Sequence, residues 1–84
     1  MKVVGLKLLD EFKKKHGDCR RQIDGWVNDV NNSNWRSFND IKKDYPQASI
    51  LHDNTVIFNI KGNNYRLATV VVIVAGRVFI TLRG

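Results

Sequence analysis

The feature that most constrains this chain is a change in hydrophobic period at about Thr55. Before it, apolar residues recur every three or four positions; after it, every second position. Leu8 or Leu9, Phe12 and His16 fall at helical spacing, and Gly17 is a natural C-cap. Asp18 is placed to cap a second helix, whose stripe is Cys19, Ile23, Trp26, Val27 and Val30. Gly25 weakens that helix by roughly 1 kcal/mol relative to Ala, so packing must hold it. The run Asn31–Asn34 ends it. A shorter helix is expected from Ser37 as cap, through Phe38 and Ile41, to Tyr45, where Pro46 stops it. Lys2–Val4 reads as a short edge strand. Strands are expected at Thr55–Ile60, Tyr65–Val74 and Arg77–Arg83, joined by Lys61-Gly62-Asn63-Asn64 and by Ala75-Gly76. The pattern predicts an α+β fold, with two N-terminal helices packed on one face of a small antiparallel sheet.

With 84 residues the chain has room for one core, so residues 1–84 are expected to form a single domain. Its 43% hydrophobic and 26% charged residues fit neither disorder nor a membrane span. The longest apolar run, Val70–Ala75, is far short of the ~20 residues that cross a bilayer. The N-terminus does not have the pattern of a signal peptide, and the expected location is cytoplasmic. A lone cysteine, Cys19, excludes an internal disulfide framework and a Cys-rich zinc site.

Alternation assigns the two faces of the sheet. If Ile60 pairs with Tyr65 and Val74 with Arg77, one face collects Val56, Phe58, Ile60, Tyr65, Leu67, Thr69, Val71, Ile73, Val78, Ile80 and Leu82. That face is nearly all apolar and must meet the helices. The other is mixed. Asn59 lies opposite Arg66 and Ile57 opposite Ala68, with Arg83 on the far side of Ala68. Arg66, Arg83 and Asn59 would then ring the small Ala68, with Lys61 in the turn beside them. Arg77 stands eight residues beyond Arg66, roughly 27 Å along the strand, and reads as a solvated turn residue. Val70, Val72 and Phe79 are left uncovered, which marks them as a partner-binding patch.

The charge supports an anion site at that cluster. The chain carries 14 Lys and Arg against 8 Asp and Glu. Residues 54–84 hold Lys61, Arg66, Arg77 and Arg83 with no acidic side chain. Guanidinium forks suit phosphate oxygens, although a sheet face with ordinary solvated charges explains the same residues. His16 reads as a stabiliser at a helix C-terminus. His52, beside Asp53, reads as a surface turn, since adjacent residues in a turn rarely orient one another. Cys19 and Trp26 read as core, and Trp35 as a plug between helices and sheet. Lys13, Lys14, Lys15, Arg20 and Arg21 read as a solvated face or a second nucleic-acid contact. There is no Walker motif, dinucleotide fingerprint, metal cluster or Ser-His-Asp arrangement, so neither a cofactor nor a metal is expected.

The segments DIKKDYPQAS and VIFNIKGNNYRLATVVVIVAGRVFITLRG resemble the HigB toxins of bacterial toxin–antitoxin pairs, within the RelE-like ribosome-dependent mRNA interferases. FNIKGNNYRL, Phe58–Leu67, is the most specific part; Trp35, Asp40-Ile41-Lys42 and Tyr45-Pro46 also sit at family spacing. The resemblance spans essentially the whole chain, weakly in the first helix. It implies a RelE-like fold, cleavage of mRNA on the ribosome, and control by a helix-turn-helix antitoxin, HigA-like. It matches Arg66 to the arginine of the family's Tyr-Arg-Leu step, and Asn59 and Lys61 to polar strand and turn positions. Family members continue past the last strand with a segment like Thr-His-x-Glu-Tyr-Asp, which this sequence, ending at Gly84, does not contain.

Cleavage by 2′-OH attack needs a base, an acid and stabilisation of charge on the phosphate. Arg66 and Arg83, the catalytic candidates, can stabilise the phosphate, and Asn59, Lys61, Arg66 and Arg83 can bind RNA. Tyr65 is expected to face the helices. The expectation is therefore an mRNA endoribonuclease toxin, weak or inactive as this 84-residue chain. The alternatives are a non-catalytic RNA- or protein-binding module using the same face, and a structural subunit whose charge serves solubility.

Overall fold

A computed structural model describes residues 1–62 and 64–81. The order of elements is β1 (Lys2–Val4), α1 (Leu6–Lys15), a 3-10 turn (Gly17–Cys19), α2 (Arg20–Asn31), α3 (Phe38–Asp44), β2 (Ser49–Ile50), β3 (Thr55–Ile60), β4 (Tyr65–Val72) and β5 (Arg77–Ile80). This is an α+β fold with a five-stranded sheet in the order β1-β5-β4-β3-β2. All neighbours are antiparallel except β1, which lies parallel to β5. The sequence pattern had shown neither this parallel pairing nor β2.

Most of the face expected to meet the helices is buried; Tyr65 and Ile73 are half-buried, and Leu82 lies outside the described residues. Val56, Phe58, Ile60, Leu67, Thr69, Val71, Val78 and Ile80 are all buried. All but Thr69 share one apolar cluster with Leu9 of α1, Ile23, Trp26 and Val30 of α2, and Ile41 of α3. Of the two leucines considered for α1, Leu9 is the core residue and Leu8 is exposed. Thr69 is buried beside them, and its hydroxyl donates to the Val56 carbonyl across the strand pair at 2.7 Å. The aromatic centre is Phe58. Trp26 and Tyr45 meet it edge-on at 5.2 and 5.1 Å, and Trp35 stacks nearly parallel at 6.2 Å. Trp35 is thus the plug its position suggests, and its indole N–H donates to Asp44 Oδ2 at 2.9 Å.

Two local expectations are corrected. Asp18 does not cap α2, which begins at Arg20 with Cys19 at the N-cap position. The Asp18 carboxylate instead takes up partners on the first hairpin, Lys61 and Tyr65. The β4–β5 register also differs: Val72, not Val74, lies opposite Arg77. A four-residue connection, 73–76, closes this hairpin, with Gly76 at φ 64° and its amide donating to the Ile73 carbonyl. The shift is by two residues, so every side chain keeps its face. Gly5, between β1 and α1, has φ 101°, and a Cβ there would stand 3.1 Å from Ile80 Cβ. Both facts require glycine at this joint.

Candidate nucleic-acid interface

The face of the sheet opposite the core is built from alternate residues of all five strands. The register sets them in rows. Lys2, Arg77 and Val72 form one end, followed by Val4, Phe79, Val70 and Thr55, then Ala68, Ile57 and Ser49, with Arg66 and Asn59 at the far end. Among the described residues, none on this face is acidic. Positive charge marks both ends, and a mostly apolar band lies between.

Arg66 is exposed, and Asn59 lies directly opposite on β3, as the sequence predicts. The Asn59 amide donates to the Gln47 carbonyl at 3.5 Å, tying the end of β3 to the chain leading into β2. Arg83, the other catalytic candidate, lies outside the described residues. The position expected for it beside Ala68 is taken by Thr81, whose amide and hydroxyl both donate to the Ala68 carbonyl, at 3.1 and 2.9 Å. This follows from the two-residue shift in register. Arg77 is level with Val72, six residues from Arg66 or about 20 Å, and donates to the Ala75 carbonyl in its own turn.

Lys61 does not stand free beside Arg66. Its backbone takes φ 53° in the turn, and its ammonium pairs with Asp18 Oδ2 at 3.0 Å. The Tyr65 hydroxyl donates to the same carboxylate, at 2.9 and 3.0 Å from its two oxygens. The Tyr65 ring lies against His16 at 4.9 Å and edge-on to Phe12 at 5.8 Å. Tyr65 therefore faces the helical side, as alternation requires. The donors Lys61 and Tyr65 hold the Asp18 carboxyl below its usual range, and the hydrogen bond to Asp18 raises the Tyr65 phenol. No local pattern points to this cluster, because its members come from separate elements.

The remaining candidates fall on the structural side. Cys19 is buried, its thiol is raised by burial, and Sγ donates to the His16 carbonyl at 3.1 Å. His16 occupies the C-cap position of α1. His52 is exposed in a turn where Asp53 and Asn54 both have positive φ. Lys13 pairs with Asp10 and Asp24, at 3.3 and 2.8 Å, while Lys14, Lys15, Arg20 and Arg21 are exposed. Among the described residues, no His, Cys, Asp and Glu side chains cluster as a metal site would need, and no helix is long and apolar enough to cross a membrane. Val70 and Val72 are half-buried, and Phe79 is 38% exposed beside Val4 of β1.

Sequence reasoning missed a cleft at the Asn59 end of the sheet. β2 pairs with β3 only at Ser49 and Ile50, so the chain before it leaves β3 uncovered. The opening has a volume of about 390 Å³ and is lined by Asp44, Tyr45, Pro46, Gln47, Ala48, Asn59 and Gly62. A smaller one of about 230 Å³ shares Tyr45 and Asn59 and reaches Trp26 and Lys61. Burial and the nearby Asp29 and Asp44 carboxylates push the Tyr45 phenol up to about 12.

No curated protein matches the chain. A family model does, over residues 19–83, well over half of the sequence: HigB_toxin, the RelE-like toxic component of a toxin-antitoxin system. The α+β fold is the one that a RelE-like resemblance implies. On this match the chain belongs to the HigB toxin family, and its biological setting is a toxin–antitoxin pair, with an antitoxin as partner.

Proposed function

We propose that the toxin acts as a ribosome-dependent mRNA endoribonuclease in the cytoplasm, restrained by a HigA-like helix-turn-helix antitoxin. The observation that carries this reading is Arg66, exposed opposite Asn59 on a sheet face where no described residue is acidic. In the proposed reaction the 2′-oxygen gives up its proton to water and bonds to phosphorus, while the bond to the 5′-oxygen breaks and that oxygen takes a proton from water. The products are a 2′,3′-cyclic phosphate and a 5′-hydroxyl. Extra negative charge gathers on the non-bridging phosphate oxygens, and the Arg66 fork, fixed on the strand, supplies donors to them. Asn59 adds a polar contact to the strand held there. Lys61 can join if its exposed pairing with Asp18 opens, and Arg83 is proposed as a second phosphate ligand. Tyr65 is not assigned as acid or base, because its ring lies against Phe12 and His16 on the helical side of the sheet, the face opposite Arg66.

The apolar band of Val70, Val72 and Phe79 is proposed as the seat of the antitoxin. The test of the enzymatic reading is cleavage of a defined mRNA on programmed ribosomes by wild type and Arg66→Ala. Removing a charge-stabilising donor costs about 10²- to 10³-fold in rate. Cleavage by wild type, with a loss of that size in the variant, supports the reading. An Arg66→Ala protein that cuts as fast as wild type removes Arg66 from the site.

A further inference from the structure

The cleft beside Arg66 has features that phosphate binding does not use. We propose that it receives one nucleobase of the RNA whose phosphate Arg66 holds, and that it favours a base carrying an exocyclic amino group. This rests on the RNA-binding reading above and names what the same site reads. Single-stranded RNA is recognised by bases turned out of the stack, set against side-chain rings and bonded along their edges. The opening of about 390 Å³ lies at Asn59, directly across the strand pair from Arg66, so a phosphate and its neighbouring base can be held together. Tyr45 and Pro46 provide an apolar wall, and Gln47 brings an amide that both donates and accepts.

The sign of the preference comes from Asp44. Its carboxylate lines the cleft, is steadied by the Trp35 indole through Oδ2, and can only accept hydrogen bonds. An amino group of adenine, cytosine or guanine can donate to it, whereas the carbonyl oxygens of uracil cannot. Trp26 supplies a reporter. It lines the smaller opening, which shares Tyr45 and Asn59 with the cleft, so a base seated against Tyr45 would alter the surroundings of the Trp26 indole.

The test uses the whole chain and three single-stranded hexaribonucleotides, A6, C6 and U6, titrated by tryptophan fluorescence and by the Trp26 indole resonance in NMR. A6 and C6 are expected to bind roughly fivefold or more tightly than U6, and to shift the Trp26 indole signal. Asp44→Asn retains an acceptor for Trp35 but adds a donor that uracil can use, so it should narrow the gap by strengthening U6. Arg66→Ala should weaken all three alike. Equal binding of the three hexamers, with Arg66→Ala still weakening each, overturns the base pocket and leaves phosphate binding standing. The same holds if the gap is unchanged in Asp44→Asn. Failure of every hexamer to bind at any salt overturns the base pocket, and cleavage on programmed ribosomes by wild type and Arg66→Ala decides the phosphate reading separately.

Discussion

Replacing Phe58 by alanine tests whether the aromatic centre supports the candidate site. Phe58 is 1% exposed and touches three rings: Trp26 at 5.2 Å, Tyr45 at 5.1 Å and Trp35 at 6.2 Å. A buried Phe→Ala change costs about 3–5 kcal/mol. Aromatic pairs contribute about 0.5–1.5 kcal/mol each beyond area, which sets this site near the upper end. At roughly 0.05–0.15 kcal/mol per residue, a chain of this length has about 4–13 kcal/mol in total. Phe58→Ala should therefore fold marginally or not at all. Phe58→Leu keeps most of the volume and loses the ring contacts, so about 1–2 kcal/mol is expected, with the fold intact. Urea unfolding followed by tryptophan fluorescence suits both variants, because both tryptophans lie against the substituted ring. A loss below about 2 kcal/mol in Phe58→Ala, with an unchanged denaturant slope, would refute the argument. It would mean that the three rings repack without Phe58, and that the Tyr45 wall of the cleft does not depend on it.

Three further outcomes are expected. The Asp18 carboxyl is held low by Lys61 and Tyr65, so its contribution to stability is full above the unfolded carboxylate value near 3.9. That contribution is lost as pH falls through the lower folded value; Asp18→Asn should be less stable at neutral pH, and the two stability curves should converge in acid. Gly5→Ala places a side chain at φ 101° and 3.1 Å from Ile80 Cβ, and should lower stability by more than about 1 kcal/mol in a thermal melt. Cys19, buried and with its thiol raised by burial, should react with a thiol reagent in native buffer only as fast as the chain opens, and at once in denaturant.

What the sequence discloses about this site divides along a physical line. Which face a strand residue occupies depends on parity alone, so Arg66, Asn59, Val70, Val72 and Phe79 are placed on the outer face despite an error in the β4–β5 register. Which residues stand level with one another depends on turn length. The 73–76 connection takes four residues where two were expected, and so Thr81 lies beside Ala68, the place expected of Arg83. Helix caps are local preferences worth about 1 kcal/mol. Asp18 illustrates how easily they yield, since its carboxylate serves Lys61 and Tyr65, 43 and 47 residues away. β1 is three residues long and pairs in parallel with the last strand, so no periodicity within it could reveal its partner. The cleft is the least legible feature of all. Asp44, Tyr45 and Pro46 carry an unambiguous local message, the end of α3, and that message conceals their second role. The docking of Tyr45 on Phe58 and the bond from Asn59 to the Gln47 carbonyl bring this helix end against Asn59, one cross-strand step from the arginine proposed to hold RNA. A variant that alters base preference without altering stability would show that the two roles of this segment are separable, and Asp44→Asn is the substitution placed to do so.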